Sequence, residues 1–211
     1  MIYIITGDSG AGKDFLRTGL LRDKNIDLIP IVSSTNRPMR EGEINHREYN
    51  FYSDKELNIL RNTPNYFLEE RVFNALDKNN NPVTYYYCSP RVNPNTNNYL
   101  ITLDSYGIIN YLKNYGPENI EVIYIKTNEE IRKQRAIKRD PNKFNINEWN
   151  RRTNKDNADF SANLCVINKL LGNIGKKIHY YDNNLEENAN KDFNNFFTDT
   201  FNKNKEIDLE L

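Results

Sequence analysis

The sequence of 211 residues is 37% hydrophobic and 27% charged, and its 29 Lys and Arg side chains equal its 29 Asp and Glu side chains. This length and composition suit one α/β domain over residues 1–211, while the balanced charge provides no basic field for a nucleic-acid backbone. Two cysteines, Cys88 and Cys165, do not make a disulfide framework. No apolar stretch has the length of a membrane span or a signal peptide, so we expect a cytoplasmic monomer or homodimer without nucleic-acid or membrane partners.

The chain begins with a predicted buried strand at residues 2–6, a glycine-rich turn at 7–12 and an amphipathic helix at 13–22. Residues 7–14 read GDSGAGKD and match the phosphate-loop pattern of Gly, four residues, then Gly-Lys. A strand, a glycine loop and a helix form the context that such a loop requires. Glycines tolerate the positive-φ geometry that lets backbone amides point to one place, and these amides with the helix start attract phosphate. The alternative is a plain glycine-rich turn.

Asp14 stands where a phosphate loop usually carries a hydroxyl that ligates magnesium. A carboxylate is a hard oxygen donor that can bind this ion directly or through water, although it adds negative charge beside the phosphates. We expect Asp14 to lie near Mg²⁺ and Lys13 to reach the β- and γ-phosphates of ATP. The candidate ATP site comprises Gly7, Asp8, Ser9, Gly10, Ala11, Gly12, Lys13 and Asp14.

Strands and helices alternate along the rest of the chain. Further strands are predicted at 28–32, 67–69, 83–88, 99–103, 120–125 and 177–181. Further helices, the first capped by Ser53, are predicted at 54–61, 105–114, 128–139, 146–160 and 185–197. A loop is expected at 77–82 and a frayed, charged end at 202–211. The alternation predicts an α/β fold in which helices cover both faces of a parallel sheet.

The polar segment 33–53 carries a candidate anion site. Arg37 and Arg40 flank one small segment, and two guanidinium forks suit a phosphate monoester because each can bond two oxygens. Tyr49 can add a hydroxyl donor. The alternative for the arginines is a solvated charged face, which their regular spacing with Tyr49 disfavours.

A second group of arginines lies on the two predicted basic helices. Arg135 and Arg139 are one turn apart on one helical face with Arg132 close to it, and Arg151 and Arg152 begin the return segment. Phosphoryl transfer needs positive charge around the migrating group rather than a covalent protein intermediate. These five side chains are therefore candidates, and the alternative for any one of them is a solvated basic helix.

The segment SSTNRPMREGEINHREYNF at residues 33–51 resembles the nucleoside-monophosphate-binding signature of guanylate kinases. The matching residues keep the family's spacing and are Ser33, Thr35, Arg37, Arg40, Gly42, Glu43, Tyr49 and Phe51. Later stretches resemble the same family in the same order: FLE at 67–69, YYYCS at 85–89, LDSYG at 103–107, IRKQRAIKRD at 131–140 and KIHYYDNNLEENANKDF at 177–193. The resemblance extends over residues 1 to about 200.

This resemblance implies a P-loop NTPase-type parallel sheet flanked by helices, with a monophosphate-binding lobe and a mobile lid. It divides the chain into a core at 1–32, 93–127 and 161–200, a lobe at 33–92 and a lid at about 128–160. On the lobe it adds Tyr87 to the phosphate grip. In the lid it implies that Arg132 and Arg135 clamp the phosphates and adenine of ATP, and that a later arginine bridges donor and acceptor.

Guanine presents its N1–H and its exocyclic amine in one direction, and a carboxylate can accept both. Glu69 is the candidate reader, although Glu70 is adjacent and only the family's register chooses between them. Ser33, Ser89 and Asp104 would complete the recognition of the base. A pocket of this kind rejects adenine strongly because the buried carboxylate would lose its donors.

Arg151 and Arg152 compete for the bridging role that the family assigns to one arginine. The candidate catalytic residues are Lys13, Arg135, Arg139, Arg151 and Arg152. The chain departs from the family pattern at four places. Asp14 replaces the loop hydroxyl, Cys88 replaces a glycine beside Tyr87, Thr102 replaces an acidic residue two positions before Asp104, and the turn at residues 74–83 is longer than the family's. These departures bear on substrate preference more than on reaction type.

The leading hypothesis is ATP-dependent, Mg²⁺-assisted phosphorylation of GMP, and of dGMP, to the diphosphate. One alternative is a nucleoside or deoxynucleoside monophosphate kinase with broader or altered acceptors. Another is a catalytically silent guanylate-kinase-like binding domain. Such domains typically lose the phosphate loop, so Gly7, Gly12 and Lys13 argue against this class, whereas Asp14 is the one feature in its favour.

Overall fold

A computed structural model of the chain describes residues 1–40, 42–76, 81–139, 141–142, 144–185 and 187–201. Within these ranges the chain forms strands and α-helices, with one short 3-10 helix at Pro117–Asn119. In chain order the elements are β1 (Ile2–Thr6), α1 (Lys13–Arg22), β2 (Ile29–Pro30), β3 (Ser34–Thr35), β4 (Asn50–Phe51), α2 (Asp54–Arg61), β5 (Phe67–Leu76), β6 (Pro82–Pro90), β7 (Tyr99–Thr102), α3 (Ser105–Tyr115), β8 (Ile120–Lys126), α4 (Glu129–Arg139), α5 (Ile146–Gly172), β9 (His179–Asp182) and α6 (Ala189–Phe201).

The described chain divides into two compact units. The large unit comprises Met1–Ile29 and Asn97–Leu211, and the small unit comprises Pro30–Thr96. No helix among the described residues combines the length and the apolar character that a membrane span needs.

The large unit is built on a five-stranded sheet with the order β2-β7-β1-β8-β9. Its central strand β1 is buried along its whole length and pairs in parallel with β7 and β8, and β8 pairs in parallel with β9. A strand buried on both faces requires a continuous apolar run, which residues 2–5 supply. The predicted α/β class with a parallel sheet is therefore confirmed.

Successive strand residues point to opposite sides of a sheet, so the apolar strands make both of its faces apolar. Helices cover both faces. Tyr3 and Ile5 lie in one cluster with apolar residues of α1 and α6, among them Leu16 and Phe193. On the other face α3 packs against both α5 and β8. The carboxyl ends of β1, β8 and β9 lie at one edge of the sheet, where ligands of open α/β sheets usually bind.

The small unit contains a four-stranded sheet with the order β4-β3-β6-β5. Most of its pairing comes from the antiparallel strands β5 and β6, in which Glu69 lies opposite Ser89 and Arg71 lies opposite Tyr87. The helix α2 begins at Ser53 with the expected capping box, since the Ser53 side chain accepts from the Glu56 amide and the Glu56 carboxylate accepts from the Ser53 amide.

Some elements differ from their predicted limits. Strand β2 has two residues, because Pro30 cannot donate to a sheet. Helix α5 continues to Gly172, whereas the sequence predicted an end at residue 160. Its buried face runs through the polar residues Thr153 and Asn163, which weaken the apolar periodicity. Strands β5 and β6 are longer than predicted, Pro82 belongs to β6, and residues 77–80 and 202–211 lie outside the described residues.

Candidate active site

The glycine loop after β1 adopts the conformation that its glycines permit. Gly7, Gly10 and Gly12 all have positive φ, at 137°, 81° and 92°. A Cβ atom on Gly7 would lie 2.4 Å from the carbonyl oxygen of Ile125, and one on Gly12 would lie 2.5 Å from Nδ2 of Asn183. A side chain at Gly7 would collide with the backbone at the end of β8, whereas one at Gly12 would meet only the end of the Asn183 side chain. At Gly12 the positive φ is therefore the stronger reason for glycine.

Helix α1 begins at Lys13, directly after Gly12, and no side chain among the described residues caps it. Its first amides therefore remain available to an anion, which the helix N-terminus also attracts electrostatically. Asp14 lies in this first turn and is exposed. The described residues contain no group of three or more His, Cys, Asp and Glu side chains able to hold a metal ion, so a cation here would depend on Asp14 together with phosphate and water.

The Lys13 side chain folds over the loop. Its Nζ donates to the carbonyl oxygens of Gly7 at 2.7 Å and Asp8 at 2.8 Å. Burial lowers the pKa of the Lys13 ammonium, and the carboxylates of Asp14, Asp156 and Asp8 oppose this effect. The ammonium group is thus held in the loop by carbonyl oxygens that would also orient it toward a bound phosphate.

Asp8 is fixed by two residues remote in sequence. The Tyr124 hydroxyl donates to Asp8 Oδ1 at 2.9 Å, and Arg132 Nη2 lies 3.4 Å from Asp8 Oδ2. Arg132 Nη1 also donates to the Ser9 carbonyl oxygen at 3.0 Å, and its guanidinium lies 5.8 Å from the Trp149 ring centroid. Burial, with the charge of Asp8, raises the pKa of Tyr124. Arg132 belongs to α4 and is only 3% exposed, and its guanidinium is buried against the loop.

Three side chains that were not among the predicted site residues hold the loop backbone at Ser9 and Ala11. Asn183 Nδ2 donates to the Ala11 carbonyl oxygen at 2.8 Å, and Thr127 Oγ1 donates to the same oxygen at 3.1 Å. Asp156 on α5 accepts from the Ser9 amide at 2.6 Å. The family-like stretch at 177–193 contained Asn183, but no sequence signal pointed to Thr127 or Asp156.

The arginines of the predicted lid differ in their surroundings. Arg135 lies near the loop, because a Cβ atom on Gly12 would be 3.8 Å from its Nη1. Arg135 also lines a cavity of about 320 Å³ with Ile131, Gln134, Lys138 and Asn184. Arg139 is exposed at the end of α4.

Arg151 and Arg152 share one carboxylate. Their Nε atoms each donate to Glu148 at 2.6 Å, one to each carboxylate oxygen. The hydrogen bond from Arg151, with a second from Arg152, lowers the pKa of Glu148 to about 2 despite the opposing effect of burial. Both arginines are exposed, so the structure does not distinguish between them for the bridging role.

In the small unit, Arg37 forms a bidentate pair with Glu43, at 3.0 Å from Nη1 and 2.9 Å from Nη2. The Arg37 guanidinium is also 5.5 Å from the Tyr49 ring centroid, and the residue is 6% exposed. Burial favours the neutral form of Glu43, but hydrogen bonds from Arg37 and from the Arg40 amide outweigh it and lower the Glu43 pKa. The Tyr49 and Tyr87 rings are 5.5 Å apart, so three predicted members of the phosphate grip lie together, while the Arg40 side chain is exposed.

The predicted base readers also form a cluster. Ser33 Oγ lies 3.0 Å from Ser89 Oγ, which in turn lies 3.5 Å from Glu69 Oε1. Glu69 is 9% exposed. Glu70 points to the other face of β5, where it pairs with Arg61 and accepts from the Cys88 thiol at 3.7 Å. Burial raises the pKa of Cys88 to about 12, so this residue is a neutral thiol.

Asp104 belongs to the large unit, whereas Glu69 belongs to the small unit. It caps α3, where its Oδ1 accepts from the Gly107 amide at 2.9 Å.

Comparisons with known proteins find similarity to guanylate kinases. The family model described as guanylate kinase matches residues 1–76. The guanylate kinase of Baumannia cicadellinicola subsp. Homalodisca coagulata is 43% identical over 77 residues, which cover 35% of this chain and 38% of that protein. The guanylate kinase of Shewanella sp. strain MR-7 is 38% identical over 72 residues, covering 34% of this chain and 35% of that protein. The chain thus matches little more than a third of the length of these curated relatives.

The fold can be compared over nearly the whole chain. The crystal structure of guanylate kinase from Anaplasma phagocytophilum aligns with a TM-score of 0.59 over 95% of this chain and 85% of that chain, at 16% sequence identity. The resemblance to guanylate kinases that the motifs predict is confirmed, by sequence over the first 76 residues and by fold over most of the chain.

Proposed function

We propose that this protein is a nucleoside monophosphate kinase that transfers the γ-phosphoryl group of ATP to GMP, and to dGMP, giving the diphosphate. In this proposal residues 33–92, which fall within the small unit, are the acceptor lobe. Residues 128–160 act as the lid, and residues 1–32, 93–127 and 161–200 form the core. The predicted cytoplasmic location and the monomeric or homodimeric state are parts of the same proposal.

One observation in the small unit carries the proposal. Tyr87 and Ser89 are two residues apart on β6, so their side chains lie on one face, roughly 7 Å apart along the strand. Tyr87 belongs to the aromatic and arginine cluster, and Ser89 belongs to the carboxylate and hydroxyl cluster. An anion site and a base-reading site therefore follow each other along one strand, at a spacing that suits the phosphate and the base of one nucleotide.

The proposed donor site is the loop of the large unit. Its amides and the Lys13 ammonium would hold the β- and γ-phosphates, and the cavity beside Arg135 would receive the adenine. Mg²⁺, bound with the ATP, would supply charge neutralisation at the phosphates, and Asp14 is the residue of this chain placed to hold it. A hard carboxylate in the first turn of α1 fits that ion.

The remaining residues would act on charge and on water. Arg37, Tyr49 and Tyr87 would fix the acceptor phosphate, and Glu69 would accept from the guanine edge. Arg135, Arg139 and one of Arg151 or Arg152 would place positive charge around the migrating phosphoryl group, which needs electrostatic stabilisation and no covalent protein intermediate. Closure of the lid segment would exclude water and suppress hydrolysis of ATP.

A coupled assay of ADP formation tests this proposal, with GMP, dGMP, AMP, CMP, UMP and dTMP offered in turn at saturating MgATP. We expect turnover with GMP and dGMP and little with the other acceptors. Turnover with several bases would favour the kinase of broader specificity. An absence of ADP formation with every acceptor would refute the kinase and favour the silent binding domain.

A further inference from the structure

Asp156 places a negative charge directly on the phosphate loop. Its Oδ2 accepts from the Ser9 amide at 2.6 Å, across 147 residues of sequence. The loop lies between β1 and α1, whereas Asp156 lies in the first half of α5. Hydrogen bonds from an amide to a carboxylate are short and stronger than those between neutral groups, so this contact is one of the firmer links between α5 and the loop.

A carboxylate in this position conflicts with the binding of phosphate. The backbone amides of such a loop are its anion site, and one N–H cannot be fully used by two anions. The charge of Asp156 also raises the pKa of the Lys13 ammonium against the effect of burial. The carboxylate thus acts on the two kinds of group that a phosphate needs, an amide donor and the lysine.

Helix α5 is well placed to present this carboxylate. It runs without interruption from Ile146 to Gly172, and a face one to two turns after Asp156 is anchored to α3. There Asn163 Nδ2 donates to Ser105 Oγ at 3.0 Å, and Ser105 Oγ donates to the Asp159 carbonyl oxygen at 3.1 Å. These hydrogen bonds fix the position of α5 against α3. Asp156 can therefore leave Ser9 only if its own rotamer changes or if the part of α5 before residue 159 moves.

We propose that Asp156 is a specificity-determining residue that competes with nucleotide phosphate for the amides of the loop. This inference rests on the proposed role of the loop as the ATP site. A triphosphate contacts several amides and Lys13 together and so can displace the carboxylate, whereas a single inorganic phosphate ion gains fewer contacts. Asp156 would therefore favour MgATP over the inorganic phosphate that accompanies it.

The test is a binding measurement by calorimetry on the full chain, with the Mg²⁺ complex of the non-hydrolysable analogue β,γ-imido-ATP and, separately, with inorganic phosphate. Asp156→Asn removes the charge and Asp156→Ala removes the acceptor. Asp159→Asn is the matched control, because it removes one negative charge from the same helix three residues away. We expect the two Asp156 variants to bind inorganic phosphate about tenfold more tightly, as the loss of a charged competitor predicts, to bind the analogue with a clearly smaller gain, and the control to show no change. Equal gains for the two ligands would show competition without discrimination and would overturn the proposed specificity role.

The outcomes separate the inference from the proposed function. If the wild-type chain binds the analogue and both Asp156 variants bind it equally or more weakly, Asp156 is an anchor of the loop and the inference is wrong, while the ATP site stands. If no form of the chain binds the analogue, both are wrong. If the variants fail to fold, NMR on wild-type protein decides: the Asp156 carboxyl carbon must shift with the same Kd as the Ser9 amide during titration, and an unchanged carboxyl signal overturns the inference.

Discussion

The glycine loop at residues 7–14, proposed to bind phosphate, and the proposed acceptor cluster of Arg37, Tyr49, Glu69, Tyr87 and Ser89 hold their functional groups in place by different means. In the loop, Ser9 and Ala11 are bound by side chains more than 100 residues away, namely those of Asp156, Arg132, Asn183 and Thr127. In the small unit, Arg37 is held by Glu43 only six residues away, and Glu69 and Ser89 face each other across one antiparallel strand pair. The loop therefore depends on the assembled large unit, whereas the acceptor cluster depends on one segment and one strand pair.

This difference predicts that the two sites can be damaged separately. Changes at the loop should alter the use of ATP and leave the binding of the acceptor intact. Changes in the small unit should alter the KM for the acceptor and leave the KM for ATP intact.

Lys13→Ala should have the largest effect. It removes the ammonium held by Gly7 and Asp8, and the loss of one positioned donor to a charged transition state lowers kcat by about 10²- to 10³-fold. Steady-state kinetics with GMP gives kcat, and calorimetry with GMP should show unchanged acceptor binding. Lys24→Ala, at an exposed position after α1, is the control. A Lys13→Ala protein with wild-type kcat would exclude the loop from the reaction.

Glu69→Gln should be the most damaging change in the small unit. It removes the charge of the proposed base reader, and the loss of a hydrogen bond to a charged group should raise the KM for GMP by about 10- to 100-fold. The KM for ATP should not change. Glu70→Gln is a matched control, since this neighbour pairs with Arg61 on the opposite face. A larger effect at Glu70 than at Glu69 would reverse the assignment of the reader.

Glu43→Gln should have a smaller effect that is confined to the small unit. It weakens the bidentate pair with the buried Arg37, which should lower the free energy of unfolding by about 1–3 kcal/mol and raise the KM for GMP several-fold. Denaturant titration and kinetics measure the two quantities. Glu48→Gln, which affects the more exposed pair with Arg47, should cost about 1 kcal/mol or less. Equal losses in the free energy of unfolding would show that the buried Arg37 pair stabilises the fold no more than the exposed Arg47 pair does.

The smallest expected effect is a pH dependence of stability that arises from Glu148 in the proposed lid. The pKa of Glu148 is lowered to about 2 from its ordinary 4.5, so its pair with the arginines stabilises the fold above pH 4.5 and is lost as the pH falls toward 2. Because the groups are exposed, the effect should be about 0.5 kcal/mol or less. Thermal unfolding of the wild-type and Glu148→Gln proteins should differ slightly at pH 6 and converge near pH 2. A difference in thermal stability that grows on acidification would show that the ionised Glu148 does not stabilise the fold through this pair.

The same contrast between local and remote contacts explains what the sequence could predict. The glycine loop, β1, α1 and the Ser53 cap follow from short stretches, and their limits were predicted closely. The predicted members Arg37, Tyr49 and Tyr87 meet in space.

Contacts that join distant segments were not predictable in this way. Asp156 and Thr127 reach the loop only after α5 and β8 have packed, and nothing in their neighbourhoods marks them. The length of α5 was missed because Thr153 and Asn163 lie on its buried face. The sequence selected Glu69 over Glu70 as the candidate base reader only through the family's register. The alternation of β5 places Glu69 beside Ser89 and Glu70 beside Arg61.

The most direct measurement of the central claim follows the phosphoryl group itself. The full chain is incubated with Mg²⁺, ATP labelled at the γ-phosphate, and GMP, and the products are separated by thin-layer chromatography. We expect the label to appear in GDP, little of it to be released as inorganic phosphate, and AMP in place of GMP to give no labelled product. Label that stays in ATP, or that appears only as inorganic phosphate, would contradict the proposed function.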